Sequence, residues 1–353
     1  MKQIFPLLLL IVYSFQLKAE DTTFFKADHP YIQYTGRTDI SQPDAPRFWQ
    51  PGVYIRIKFK GRYCNIIIDD EVRYGKEHNY LAIQVDNLPV KRLQTTGAHN
   101  IINAADDLSN SEHILTICKN TEAAIGYLKF IGVQCSAILP LPAKPSRKIE
   151  FIGNSITCGT GSDQSVVPCE KGVWYDQHNA WMSYGPTTAR ALKAQWHLSS
   201  VSGIGLTRSC CDMNITMPQV FDKIDMRTAE LNWDFKRYQP DVVTVCLGQN
   251  DGKQDSVIYC KAYLQFIDTL RKEYPKATII CLSSPMADAD LTAVMQRYLK
   301  AIVTTAHDKN VYRYFFSKRY HHGCGDHPDL EEHKQIAAEL TAYIGKIKKW
   351  QRS

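Results

Sequence analysis

Ile149-Glu150-Phe151-Ile152-Gly153-Asn154-Ser155-Ile156-Thr157 is the stretch on which the reading of this chain turns. Its first half is a short apolar run bounded by charge, the mark of a buried strand. The run breaks at Gly153-Asn154, and a serine stands at the break. A serine on a strand-to-helix turn exposes its hydroxyl above a sheet. Its own N–H and those that follow then point into the same space from a helix N-terminus. That geometry suits a nucleophile whose attack creates an oxyanion. The plainer alternative is helix capping, for which Asn and Ser are both preferred.

Downstream, strands alternate with helices. The pattern predicts a helix over 180–196, a strand over 197–201, a buried parallel strand over 241–247 and an amphipathic helix over 256–274. A strand over 277–282, a helix over 291–307, a strand over 311–315 and a closing helix over 329–350 follow. Such alternation implies right-handed crossovers and a parallel sheet covered on both faces. In these sheets ligands bind outside the carboxyl ends of the strands. Four segments fall there: Gly153-Asn154-Ser155, Ser202-Gly203-Ile204-Gly205, Gly248-Gln249-Asn250-Asp251 and Cys324-Gly325-Asp326-His327-Pro328. They hold a nucleophile, a glycine with an unobstructed N–H, a side-chain amide donor and a base, the parts an acyl-transfer intermediate needs. Singly, each has a plain explanation as a turn glycine, a helix cap or a surface histidine. Their joint placement on one edge is what points to catalysis.

The first half of the chain reads differently. Short runs at 54–59, 64–68, 80–85, 113–118 and 127–133 are separated by turn residues, the pattern of an all-β sandwich or jelly roll. The expected organisation is a β domain over 20–138, a proline-rich, extended linker over 139–148 and the α/β domain over 149–353. An aromatic and proline cluster at 34–52 interrupts the strand pattern. Phe48 and Trp49 are expected to plug the sandwich or pack on the second domain, a sugar-stacking surface being the alternative.

Composition narrows the function classes. The 353 residues are 44% hydrophobic and 22% charged, near globular averages, with a net charge of +6. Lys and Arg are dispersed among acids, which gives no support to nucleic-acid binding. Residues 1–19 have a short positive start, an apolar run and a small-residue end, the pattern of a secretory signal peptide, with an uncleaved anchor as the alternative. A secreted or periplasmic protein with no membrane span after cleavage is therefore expected. There are eleven cysteines, an odd number. Cys158 and Cys169 flank a Gly/Ser-rich loop and form a plausible pair. Adjacent Cys210 and Cys211 are expected to bond elsewhere or stay free, and Cys64, Cys118, Cys246 and Cys281 to be buried thiols. No cysteine spacing suggests a structural zinc site.

The four blocks resemble the SGNH/GDSL hydrolase superfamily, with Ser155 as nucleophile, Gly203 (less well, Gly205) as the glycine, Asn250 in the Gly-x-Asn-Asp element and His327 as base. The upstream Thr35-Gly36-Arg37 and Asp44-Ala45-Pro46-Arg47-Phe48-Trp49 resemble the N-terminal jelly roll of carbohydrate esterase family two. The resemblance implies removal of acetyl groups from polysaccharides such as xylan and mannan, without a metal or other cofactor. It also implies an oxyanion hole made by Ser155, Gly203 and Asn250. Two positions depart from the superfamily pattern: Asn154 replaces the usual Asp, and Cys324 stands where an aspartate often precedes the histidine by three residues. The expected catalytic unit is accordingly a Ser155–His327 dyad oriented by a backbone carbonyl, with Asp326 as the alternative orienter. Residues 157–173 with Trp174, Tyr175 and Trp181 are expected to wall a sugar subsite, core packing being the alternative for Trp181. The rival functions are a lipid esterase or thioesterase on the same scaffold and a non-catalytic carbohydrate-binding protein.

Overall fold

A computed structural model describes residues 22–350 of the chain. The expected export signal at 1–19 lies outside the described residues.

The N-terminal part is all antiparallel. Nine strands form one continuous sheet organised on the 17-residue strand Tyr54–Asp70. The runs expected at 54–59 and 64–68 are thus a single strand, broken by a register shift between Lys60 and Cys64. Its first half pairs with Gln33–Thr35 and Glu112–Lys119, its second with His99–Ala105, and Leu128–Leu139 runs beside both. A β-bulge bends a strand and increases its twist, so the one strand serves both layers of a sandwich. Alternate residues Ile55, Ile57, Phe59, Ile66 and Ile68 bury inward with Leu81, Ile117, Phe130 and Val133.

Residues 140–146 lead into a five-stranded parallel sheet, in spatial order Ala194–Ser200, Arg147–Gly153, Val242–Cys246, Thr278–Leu282, Val311–Tyr314. Two apolar cores flank it. On one face Ile149 and Phe151 pack with the helices Tyr184–Ala191 and Leu330–Lys348. On the other, Val243, Val245 and Ile279 pack with Ser256–Glu273 and Ala289–Thr305. Alternate residues of each strand face opposite layers, which is why these strands read as unbroken apolar runs. The helix expected over 180–196 is shorter. A 3-10 turn, Ala180–Met182, precedes the helix Tyr184–Ala191, and the next strand already begins at Ala194. The break is at Lys193, which adopts φ 51° without a Gly or Pro to announce it.

The sandwich packs on the edge strand of the parallel sheet. Arg37 is fully buried, and its Nη2 meets Glu150 Oε1 at 2.9 Å. Its Nη1 donates to the carbonyls of Phe221 and, at 2.8 Å, Lys223, and the guanidinium lies 5.0 Å from the centroid of the Phe221 ring. Beside it the Gly36 N–H donates to His197 Nε2 at 3.0 Å, and the Trp196 indole N–H donates to the Gly52 carbonyl at 2.9 Å. Gly52 has φ +73°, and a Cβ there would come within 2.7 Å of Leu198. The 34–52 cluster is therefore a packing surface: Phe48 fills the sandwich core, and Trp49 packs with Ile224, Trp233 and Tyr238 of the second domain.

Removing one partner of a buried ion pair strands the other charge, at a cost of about 3–5 kcal/mol. Arg37→Ala should therefore lower stability by about that much in urea unfolding. The double variant Arg37→Met/Glu150→Leu should recover most of it. A single variant as stable as the wild type would show the pair to be dispensable.

Candidate active site

The strand Arg147–Gly153 delivers Ser155 to the carboxyl edge of the sheet. Gly153 is required by close approach: a Cβ there would lie 2.1 Å from Thr157 Oγ1 and 3.2 Å from the Cys246 carbonyl. Capping falls to Asn154, whose Oδ1 accepts the Ile156 N–H at 3.1 Å. The amide at 154 does this without a charge, and Ser155 becomes the first residue of the short helix Ser155–Cys158. Its Oγ lies 2.8 Å from His327 Nε2.

His327 sits on a loop just before the closing helix. Nδ1 lies 3.1 Å from the Cys324 carbonyl. With Nε2 unprotonated to accept from Ser155, Nδ1 carries the hydrogen and donates to that carbonyl. Asp326 is not the orienter. Gly325 and Asp326 both have positive φ (59° and 58°), which turns the Asp326 side chain outward. Its carboxylate is 73% exposed and lies 3.9 Å from Arg319 Nη2. The loop is pinned by a disulfide between Cys169 and Cys324 and by the Cys324 N–H donating to the Gly161 carbonyl at 2.8 Å. This corrects the expected Cys158–Cys169 pair. Cys158 is instead a buried thiol 3.2 Å from Ser200 Oγ, at the end of the short helix that Ser155 begins. Burial lowers the His327 pKa below its ordinary value, against an upward pull from the Cys324 carbonyl that His178 partly offsets.

Facing this pair are the second and third blocks. Asn250 Nδ2 donates one hydrogen to the Ile204 carbonyl at 2.8 Å, and an amide nitrogen has a second to give. Gly203, with φ +83°, lines the same cavity. Gly205 is committed to a turn, since a Cβ there would meet the Arg208 carbonyl at 1.9 Å. Asp251 stood in the Gly-x-Asn-Asp element with no task given to it. Its buried carboxylate accepts the N–H groups of Leu206 (2.9 Å), Thr207 (2.6 Å) and Arg208 (3.1 Å), and so fixes the loop that follows Gly203. The acidic residue after Asn250 was the available signal. Cys210 and Cys211 were expected to bond elsewhere or stay free; they are disulfide-bonded to each other and line the cavity beside Gly203.

The cavity encloses about 450 Å³, with Ser155, His327, Gly203 and Asn250 in its wall. Trp174 also lines it and is half exposed. The other two aromatic candidates are elsewhere. Tyr175 is buried with Tyr80 and Ile125. Trp181 is buried against Trp196, with the Arg190 guanidinium 4.3 Å from its ring. Both occupy the seam where the 163–181 loop packs on the sandwich, so they hold the wall from behind. Also missed was Glu122, a buried carboxylate of the β module in the cavity wall. A separate donor set, His322, Asp329 and Glu332, has ligand atoms within 4.8 Å of one another. Those groups are already engaged in the cap of the last helix and in a 2.8 Å His322–Glu332 pair.

The chain is similar to known proteins along both of its domains. Residues 34–145 match the family described as carbohydrate esterase 2 N-terminal, and residues 151–334 match the GDSL-like lipase/acylhydrolase family. The chain is 30% identical over 370 residues to an acetylxylan esterase / glucomannan deacetylase of Cellvibrio japonicus, covering 99% of this chain and 100% of that protein. It is 31% identical over 344 residues to the cellulase/esterase CelE of Acetivibrio thermocellus, covering 92% of this chain but only 40% of that protein. Among solved structures, a family two carbohydrate esterase from Cellvibrio japonicus superposes with a TM-score of 0.86 at 26% identity, over 94% of this chain and 99% of that one. Another, from Clostridium thermocellum in complex with cellohexaose, gives 0.84 at 28% identity, over 91% and 100%. Fold and site together define a carboxylic ester hydrolase of the GDSL-like kind. With its sandwich domain in front, the chain belongs to family two of the carbohydrate esterases.

Two measurements test the histidine's surroundings. Asp326→Asn should cost less than about tenfold in kcat, whereas the same change in a true triad costs about 10⁴. Since His327 must be neutral to accept a proton and burial lowers its pKa, kcat/KM should fall with decreasing pH at a midpoint below ~6.5. A midpoint above that value, or a thousandfold loss in folded Asp326→Asn, would return the aspartate to the site.

Proposed function

We propose that the protein is an exported deacetylase of acetylated polysaccharides or oligosaccharides of the xylan and mannan type, acting through an acyl-enzyme on Ser155. The observation that carries the reading is the 2.8 Å contact between Ser155 Oγ and His327 Nε2, inside a cavity shared with Gly203 and Asn250. A family two relative named acetylxylan esterase / glucomannan deacetylase, matched along its whole length, supports the substrate class.

In the first step His327 Nε2 takes the Ser155 proton as Oγ attacks the acetyl carbonyl. The carbonyl electron pair moves onto oxygen. The N–H groups of Ser155 and Gly203 and the second amide hydrogen of Asn250 receive that charge. As the tetrahedral centre collapses, the sugar oxygen leaves and takes the proton from His327. Water then repeats the sequence on the acetyl-enzyme, releasing acetate and restoring the serine. The Cys324 carbonyl keeps the ring in one tautomer throughout, which is the part of a triad aspartate's role that concerns orientation. Trp174, half exposed in the cavity wall, offers a flat apolar face to a sugar ring.

Acetate release from acetylated xylan and glucomannan, compared with simple aryl acetates and long-chain esters, tests the substrate class. Preference for long-chain esters would make the protein a lipid esterase instead. Ser155→Ala should abolish acetate release, and a fluorophosphonate should label the peptide containing Ser155. Asn250→Ala should lower kcat by about 10²–10³ with KM nearly unchanged, because its amide acts on charge that develops only in the transition state. An effect confined to KM would make Asn250 a ground-state contact.

A further inference from the structure

Glu122 belongs to the β module, yet the partners of its carboxylate are all in the hydrolase domain. Oε2 accepts the Ser202 N–H at 2.6 Å and lies 3.6 Å from the Cys158 thiol, while Oε1 lies 3.4 Å from Nε2 of His178. These partners sit on the turn leading into Gly203, on the short helix that Ser155 begins and on the loop that carries Trp174. Both Glu122 and His178 are fully buried. The turn bearing Glu122 is held in place by Lys119, also fully buried, whose Nζ donates to the carbonyls of Thr121 (2.6 Å) and Glu122 (3.1 Å). Burying a carboxylate and an ammonium is costly. The sandwich core, made of Ile, Val, Leu and Phe, has no need of either.

We infer that Glu122 is a positioning residue for ester hydrolysis: from the other domain it fixes the Ser202–Gly203 turn, and so sets where the Gly203 N–H meets the oxyanion. The inference rests on the serine-esterase reading above. The hydrogen bonds from His178 and Ser202 hold the Glu122 carboxyl below the ordinary range, against the burial that would raise it.

The test uses the full chain with 4-nitrophenyl acetate, a probe too small to engage a glycan subsite. Glu122→Gln keeps the size and one acceptor oxygen but removes the charge. It should lower kcat about 10- to 100-fold, with KM changed by less than about threefold. The loss should fall on kcat and not on KM, a split that a general loosening of the fold would not produce. Glu122→Asp should lose part of kcat, because the shorter side chain withdraws from the Ser202 N–H. Ser155→Ala, measured alongside, separates the two readings. If it is inactive while folded Glu122→Gln has wild-type kcat, the role of Glu122 is overturned and the serine mechanism stands. If Ser155→Ala keeps full activity, both fall. Should Glu122→Gln fail to fold, Glu122→Asp decides alone, and wild-type kcat in that variant overturns the proposal.

Discussion

The buried pair between Arg37 and Glu150 fixes where everything else in the molecule stands. Glu150 lies within the strand Arg147–Gly153, so a charge from the sandwich is locked to the strand that leads into Ser155. An isolated buried ion pair contributes little net stability, since desolvation offsets most of its attraction. Its effect here is geometric. Glu150 also accepts from Ser199 Oγ at 2.6 Å, so one carboxylate ties the sandwich to two adjacent parallel strands. The clamp is extended by Gly36 on His197 and Gly52 on Trp196 along the edge strand, and by Glu122 on Ser202 just past its end. The two domains thus meet along a whole strand length and share one rigid wall.

Within that wall the His327 ring is held with no carboxylate bonded to it. The position three residues before His327 is occupied by Cys324, which supplies two substitutes. Its carbonyl accepts from Nδ1, and its side chain is bonded to Cys169, so the carbonyl cannot drift from the ring. A carbonyl orients the imidazole but offers less to a developing positive charge than a carboxylate would. Burial, the largest influence on His327, holds its pKa below the ordinary value, whereas a carboxylate partner would raise it.

What was legible in the sequence follows from the range over which each signal acts. The parallel strands showed as apolar runs, and the helices after them as amphipathic periods, because both patterns are local. The four blocks were legible because each lies where a strand must end. Contacts between segments far apart in sequence were not. Glu122 and Ser202 are 80 residues apart, and Arg37 and Glu150 are 113 apart. No periodicity links such residues, and a charged side chain after a strand reads by default as solvated. Trp181 misled for the same reason: an aromatic beside a candidate site looks available until its partner, Trp196, is known. Arg37 was singled out only through the resemblance of Thr35-Gly36-Arg37, and its physical task emerged once Phe221, Lys223 and Glu150 surrounded it.

The cysteines show which parts of the structure hold themselves in place. Seven described thiols are unpaired, six of them buried, and five of those are in strands of the two domains: Cys64, Cys118, Cys135, Cys246 and Cys281. There, ladder hydrogen bonds and close packing already fix the chain, and a thiol serves as a small apolar group. Both disulfides fall instead in loops at the carboxyl edge, one beside His327 and one beside Gly203. Those loops carry polar residues and positive-φ turns, at Gly161, Gly203, Cys211 and Gly325 among others, and bury too little apolar surface to be fixed by packing alone. A covalent link removes conformational freedom that such a segment would otherwise retain. Cross-links thus stand where the catalytic geometry needs rigidity and the sheet can no longer supply it.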